Sequence, residues 1–395
     1  GSQSWSWALQ AAAIWTLAEY LGTLDPFGIT WEMQANLLNG WPCWLTWAGW
    51  CGSWALSWLL VWWNATLLDL PARPVRVATA AAVVLLAAGL GWLGRPDEAV
   101  AASIRVGLIQ VSLGQEVKWD AGYREFALDR LTRLTRLAAG QDARLIVWPE
   151  TSLPYRSFLK NPLHTRHVGR LAREVEGWIM AGSIEATEGG QFNTASMFAP
   201  DGSYAGRYDK LRLAPCAEYL PGPPSLRQYH LFDRVSRYLP GRRLGLFEVD
   251  GRQIGCLICY ESMTPALARQ LYREGARLLV VMTNDAPFSH SPALECHFDS
   301  AIMRAAEVGL PVVQCANTGI SGAISATGKV LARTREDEVT ALVAPVALGV
   351  GGTFYARTGD WFVWLAVLAG LFSYRGTSRS PESDKPAAGS EASSP

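Results

Sequence analysis

The first 72 residues contain no lysine or arginine, and only Glu19, Asp25, Glu32 and Asp69 carry charge there. A water-facing surface needs scattered charge, so this stretch is not the skin of an ordinary soluble domain. Cysteine is sparse and unpaired. The seven, at 43, 51, 216, 256, 259, 296 and 315, are odd in number and irregularly spaced, which excludes a disulfide framework and a cysteine zinc site. The five histidines (164, 167, 230, 290 and 297) form no ligand pattern, so neither a metal nor another cofactor is expected. Basic and acidic residues balance at 35 each, leaving no surplus of positive charge for a nucleic-acid partner. The start lacks the basic stretch that opens a cleavable signal peptide, and none is expected.

Tryptophan is what the N-terminal region has in excess: 13 of the 18 fall before residue 96. Three apolar runs, 5–24, 41–68 and 75–93, approach or exceed the ~20 residues that cross a bilayer, and a shorter run, 361–374, lies near the other end. Glu19 is costly in lipid and is expected to face protein or a polar cavity. Arg73 falls between the second and third runs with Arg76 at the edge of the third, and Arg375 and Arg379 follow the last. An excess of basic residues marks the cytoplasmic side, so 25–40 and 96–358 are expected on the outer side. The resulting organisation is a membrane domain (1–95) of about three transmembrane helices, an extracytoplasmic domain (96–358), a C-terminal transmembrane helix (359–375) and a disordered Ser/Pro/Ala/Lys/Glu-rich tail (376–395).

Region 96–358 is long enough for one large core and alternates strand-like with helix-like segments. Apolar runs at 103–111, 144–148, 178–184, 194–198, 245–249, 254–259 and 278–283 predict buried strands. Leu128, Leu131, Leu134 and Leu137 among basic neighbours predict an amphipathic helix, with further helices at 163–176, 264–274 and 294–309. Strands alternating with helices predict an α/β layered domain.

Three polar residues sit where chemistry is feasible. Cys259 ends the strand 254–259 at a junction with a helix, where a thiol is exposed at a sheet edge and a helix N-terminus favours its thiolate. A buried inert thiol is the plainer reading of any one free cysteine, and Cys256 fits that reading better. Glu150 ends the apolar run that begins at Leu145, behind Trp148 and Pro149, where partial desolvation raises a carboxyl toward general-base duty; a loop or capping carboxylate is the plainer reading. Lys210 taken alone reads as a surface lysine.

Together these segments resemble the Glu–Lys–Cys triad of the nitrilase (carbon–nitrogen hydrolase) superfamily, in its order. The wording is most similar to the apolipoprotein N-acyltransferase branch: Trp148-Pro149-Glu150-Thr151, then Tyr208-Asp209-Lys210-Leu211 running on to Glu218-Tyr219, then Ile258-Cys259-Tyr260-Glu261. Asn284-Asp285, His297, Arg304 to Glu307 and Asn317 to Ser321 continue the match in order. The resemblance implies a four-layer α-β-β-α sandwich flanked by transmembrane helices. It implies Glu150 as base, Lys210 with a backbone N–H after Cys259 as oxyanion holders, and Cys259 as nucleophile. Glu218 would orient Lys210 or meet substrate, Tyr260 and Glu261 would shape the wall, and Asn284, Asp285, Pro287 and His297 fall in loops that gate lipid entry. Pro287 stands where the family carries an aromatic residue, Cys216-Ala217 replaces Phe-Gly, loop 25–40 lacks the usual Phe-Pro-Trp, and the family normally carries more spans.

For that branch the acyl donor is a phospholipid and the acceptor is the amine of an S-diacylglyceryl-cysteine apolipoprotein, in the bacterial inner membrane with the catalytic domain on the periplasmic side. A nitrilase-like membrane amidase, or a paralogue of the conjugal-transfer type, would keep the triad and change the substrate. A scaffold with a vestigial domain would need none of Glu150, Lys210, Glu218 and Cys259.

Overall fold

The computed structural model describes residues 4–24, 28, 33–96, 102–114, 122–153, 155, 157–230 and 235–377. Asp25, Glu32, Arg379 and nearly all of the tail expected to be disordered lie outside the described residues.

Two six-stranded sheets form the centre. The first contains β1 (Ser103–Gln110), β2 (Leu145–Val147), β3 (Trp178–Thr187), β4 (Gly190–Phe198) and β5 (Tyr204–Asp209). The second contains β6 (Gly245–Val249), β7 (Arg252–Ile258), β8 (Leu278–Thr283), β9 (Val312–Ala316), β10 (Gly322–Ile324) and β11 (Val330–Arg333), after which β12 (Thr340–Ala347) returns to pair antiparallel with β1. The orders are β12-β1-β2-β3-β4-β5 and β11-β10-β9-β8-β7-β6. Strand alternation decides which side chains meet between the sheets. On β7, Ile254, Cys256 and Ile258 point inward to face Val106, Leu108 and Val147 of the first sheet, so Cys256 is a core residue.

Helices cover both outer faces. Helices α5 (Tyr123–Ala139) and α6 (Pro162–Glu174) bury Leu131, Leu134, Val168 and Leu171 against Ile146, Ile179 and Trp148. Helices α7 (Pro265–Arg273) and α8 (Ala293–Val308) cover the second sheet. The result is the expected α-β-β-α layering.

The apolar regions are α1 (Ser4–Gly22), α2 (Pro42–Cys51), α3 (Ser53–Leu67), α4 (Pro74–Leu93), the short α9 (Phe354–Thr358) and α10 (Trp361–Thr377). The continuous run 41–68 is not one span. It breaks at Gly52, whose φ of +72° and ψ of 177° are open to glycine alone, and where any Cβ would meet the Tyr355 ring at 2.5 Å. Beyond the break the Ser53 N–H donates to Glu307 Oε1 at 2.9 Å, so a carboxylate of α8 receives the first amide of α3. Among the described residues, Pro74–Leu93 is the one helix long and apolar enough to cross a membrane by length and composition; Trp361–Ser373 is apolar but shorter.

The N-terminal helices are not a separate body. Cys43, Trp44, Leu45, Ala48 and Leu56 share a core with α7 and α8. Trp54 Nε1 donates to Asp360 Oδ1 at 2.8 Å, and Arg269 Nη2 on α7 reaches Asp360 Oδ2 at 2.7 Å. Helix α4 lies so close to α2 that a Cβ at Gly91 would collide with the Cys43 carbonyl. Glu19 faces protein as expected, its Oε1 accepting from Trp15 Nε1 at 2.9 Å and from the Gln34 N–H at 3.0 Å.

Candidate functional site

The chain turns sharply at three places near the ends of the central strands, and each turn carries one expected residue. After β2, Trp148 and Pro149 lead to Glu150, with Thr151 following at φ +47°. Trp148 is buried and its Nε1 donates to Thr135 of α5 at 2.8 Å, which fixes the turn from behind. Lys210 directly follows β5, its N–H donating to the Asn193 carbonyl at 2.9 Å. Cys259 follows β7 at φ +51° and opens a five-residue 3-10 helix, Cys259–Met263.

Lys210 is buried, and its Nζ lies 2.8 Å from Glu218 Oε2 and 3.8 Å from Glu150 Oε1. A buried ammonium is tolerable only when so paired. Burial works against its charge, but Glu218 and Glu150 outweigh that cost and hold the ammonium above the usual lysine range. Glu218 is presented by a tight turn in which the Glu218 N–H donates to the Ala214 carbonyl at 2.9 Å and the Ala214 N–H to Glu218 Oε2 at 2.7 Å. Cys216, at φ +61°, is exposed on the outside of that turn.

Asn193 is the residue the sequence did not single out. Its Nδ2 donates to Glu150 Oε1 at 2.6 Å and to Glu218 Oε1 at 3.0 Å, so one amide separates the two carboxylates. The available signal was a polar residue at a buried position of an otherwise packed strand. Glu150 Oε2 accepts the Asn284 N–H at 2.9 Å. The Asn284 side chain is held in turn by Asn317 Nδ2 at 2.9 Å, and Asn317 by the Leu113 backbone.

The Cys259 thiol is half-buried, and it does not have the lowered titration that a helix N-terminus suggests. Burial pushes it well above its ordinary value, the Glu150 carboxylate pushes in the same direction, and Lys210 only partly offsets them. The helix that follows is a single 3-10 turn with little dipole to offer. A thiol protonated beside a carboxylate is the resting state that a general base can activate.

Glu261 does not form a wall. It is fully buried, and its carboxylate accepts from Tyr208 OH at 2.7 Å, the Leu211 N–H at 2.8 Å, the Arg212 N–H at 2.9 Å and the Ile258 N–H at 2.8 Å. It ties the loop carrying Lys210 to the strand carrying Cys259. Burial raises its carboxyl, and these donors and Lys210 act against that rise. Tyr260 is buried with its hydroxyl near Gly28, where an added Cβ would come within 3.1 Å.

The four residues expected in gating loops divide. Pro287 lies exposed in the short 3-10 helix Ala286–Phe288, and Asn284 braces Glu150. Asp285 and His297 are buried behind the nucleophile, with His297 Nδ1 2.9 Å from Asp285 Oδ1 and His297 Nε2 3.2 Å from the Cys259 carbonyl. Cys259, Asp285 and His297 each offer a ligand atom within 4.8 Å of the others, but both ring nitrogens of His297 are taken by hydrogen bonds, so the set fits a hydrogen-bonded network better than a metal site. A second set, His290, Glu336 and Asp337, lies at the surface.

Residues 105–354 match the carbon–nitrogen hydrolase family. An apolipoprotein N-acyltransferase of Geobacter metallireducens is 34% identical over 303 residues, covering 75% of this chain and 58% of that protein. One from Brucella suis is 30% identical over 287 residues, covering 68% and 52%. One from Bradyrhizobium diazoefficiens is 31% identical over 396 residues, covering 92% and 72%. The chain thus spans a little over half the length of the first two of these curated relatives. Among solved structures, the nitrilase-superfamily amidase of Nesterenkonia AN1 is 18% identical with a TM-score of 0.50, covering 66% of this chain and 96% of that one. The NitFhit protein of C. elegans is 17% identical with a TM-score of 0.50, covering 71% and 67%. These two likenesses are of fold.

Proposed function

The chain belongs to the carbon–nitrogen hydrolase family, in the branch of the apolipoprotein N-acyltransferases, and on that premise we propose that it moves an acyl chain from a phospholipid to the N-terminal amine of an S-diacylglyceryl-cysteine protein. The carrying observation is a tie between the site and the apolar N-terminal region. Arg212 Nη1, two residues beyond Lys210, donates to the Thr23 carbonyl just past apolar helix α1, at 2.9 Å. An acyl-transfer centre is thereby fixed to the end of an apolar helix, where a lipid can present its ester without leaving the bilayer.

The chemistry uses only this chain's groups. Glu150 takes the thiol proton, and the Cys259 sulfur attacks the ester carbonyl while Lys210 and the N–H of residue 260 receive the oxyanion. The C–O bond breaks and the lysophospholipid leaves with the proton from Glu150, leaving a thioester. The acceptor amine attacks that thioester, gives its proton to Glu150, and expels the thiolate, which is reprotonated. Asn193 and Asn284 hold Glu150 in place for both halves. Glu218 keeps Lys210 charged at 2.8 Å.

The same reading places the protein in the bacterial inner membrane with its catalytic domain on the periplasmic side. Arg73 is the N-cap of α4 and Arg76 lies in its first turn, so along the chain most of a helix of 20 residues, about 30 Å long, lies between them and the catalytic domain.

The test is incubation of the detergent-solubilised chain with a phosphatidylethanolamine carrying a labelled acyl chain, followed by intact-mass measurement. One acyl adduct is expected, absent in Cys259→Ala and discharged by an S-diacylglyceryl-cysteine peptide with formation of an amide. No adduct in the wild type, or an adduct discharged only to free fatty acid in the presence of the peptide, would overturn the reading.

A further inference from the structure

We propose that His297 and Asp285 are positioning residues that set the oxyanion-holding peptide between Cys259 and Tyr260 from its rear side. The inference rests on the thioester chemistry proposed above, but not on the phospholipid as donor.

The peptide between Cys259 and Tyr260 is a rigid plane. In a trans peptide the C=O and the following N–H point in opposite directions, so fixing one aims the other. The Cys259 carbonyl is fixed twice: Ser262 Oγ donates to it at 3.0 Å, and His297 Nε2 lies 3.2 Å away. The N–H on the opposite edge of that plane belongs to residue 260, the group that the chemistry needs as oxyanion donor. Because Cys259 adopts φ +51°, a conformation costly to a non-glycine residue, this plane keeps its setting only if its surroundings hold it.

His297 is equipped to do so. It is fully buried on α8, and Nδ1 is 2.9 Å from Asp285 Oδ1. Nδ1 faces the Asp285 carboxylate, while Nε2 faces both the Cys259 carbonyl and Ser262 Oγ, the latter at 3.0 Å. With the Ser262 hydroxyl proton given to the carbonyl, both ring nitrogens face acceptors, and the imidazolium donates to both sides. Asp285 is itself oriented by Thr283 Oγ1 at 2.6 Å and by φ +34°. Burial disfavours the imidazolium, but Asp285 outweighs that effect and raises the ring above its ordinary range. Neither His297, 0% exposed, nor Asp285, 2% exposed, can touch a substrate. Both act through the turn 259–263, whose far end is held by Arg304 Nη1 at the Met263 carbonyl, 3.2 Å, from the same helix.

The test separates oxyanion stabilisation from thiol activation. Iodoacetamide alkylates a thiolate without building an oxyanion, whereas p-nitrophenyl butyrate and phosphatidylethanolamine both acylate through one. In the full chain in detergent, His297→Ala should slow acylation by both donors about 100-fold, His297→Gln, which keeps a carbonyl-facing donor, about 10-fold, and alkylation at pH 8 should change less than about 3-fold in either. Acylation that is unchanged, or alkylation that falls in step with it, overturns the proposal. If His297→Ala gives no cooperative melt, Ser262→Ala carries the same signature with a smaller acylation loss, and failure to show it is equally decisive. A wild type acylated by the ester but not by the phospholipid sinks the donor assignment and leaves the positioning test intact. An ester acylation rate indifferent to His297 does the reverse.

Discussion

Lys210 Nζ lies 2.8 Å from Glu218 Oε2 but 3.8 Å from Glu150 Oε1, so the ammonium is shared unequally between two carboxylates that have different jobs. The unequal sharing leaves Glu218 to neutralise the cation and Glu150 to accept the proton. Removing the nearer charge removes that division. In Glu218→Gln, Lys210 is drawn onto Glu150 and withdraws its basicity. The expected outcome is a loss of about 100-fold in acyl-enzyme formation, at the scale of general-base catalysis, with a lowered melting temperature, because the buried ammonium loses its nearer charge and an NH2 is set among the donors of Asn193 and Ala214. Single-turnover acylation and a thermal melt in the same detergent check both halves.

Glu150 and Lys210 act on the Cys259 thiol with opposite signs, and alkylation can read each. Burial and then Glu150 raise the thiol, while Lys210 lowers it. A raised value means less thiolate at a fixed pH, so wild-type Cys259 should alkylate more slowly than free cysteine, its rate still climbing with pH above the range where free cysteine levels off. Glu150→Gln should bring the profile down in pH and speed alkylation at pH 7. Lys210→Met should move it up and slow alkylation. Acyl transfer should collapse in both. Equal movement of the two variants in the same direction would show that neither group faces the thiol electrostatically.

Glu261 supports the fold more than it supports binding. Its two oxygens accept from Tyr208, Leu211, Arg212 and Ile258. In Glu261→Gln an NH2 takes the place of one oxygen and faces these donors. An unsatisfied buried donor costs about 1–3 kcal/mol. Tyr208→Phe removes one donor and leaves three backbone donors on the carboxylate, so its cost should be smaller, about 1 kcal/mol. Melting or denaturant midpoints should therefore order wild type, Tyr208→Phe, Glu261→Gln. The reverse order would mean that Glu261 is not the tie between the two loops.

The readable parts of this molecule are those whose signal is local. The ends of β2 and β7 are visible because apolar runs stop at Glu150 and Cys259, and α5 is visible from the periodicity of Leu128, Leu131, Leu134 and Leu137. Asn193 was not visible, since a single polar residue on a strand acquires meaning only when Glu150 and Glu218 arrive from other strands. Asp285 and His297 follow a matching motif, yet their burial behind Cys259 depends on how α8 packs, which spacing along the chain does not encode. Run 41–68 misled for the same reason. Hydrophobicity is continuous through Gly52, while the break is imposed by Tyr355 and by Glu307, 254 residues beyond Ser53.

That break makes the last prediction. Gly52 adopts a φ and ψ that L-residues essentially never adopt, and its Cα hydrogen faces the Tyr355 ring, which a Cβ would approach to 2.5 Å. Alanine there carries backbone strain of about 1–3 kcal/mol and also favours joining α2 and α3 into one helix, as the sequence suggests by itself. A joined helix pulls the Ser53 N–H away from Glu307 and shifts Trp54 from Asp360. Asp360 would then keep Arg269 and Tyr355 alone, and the contact between α3 and the catalytic domain would weaken. Gly52→Ala should therefore lower the melting temperature and increase amide exchange at 53–56 together with 355–360, two segments far apart in sequence. Increased exchange confined to 50–56 would mean that the break is local and that the helices dock on the catalytic domain without it.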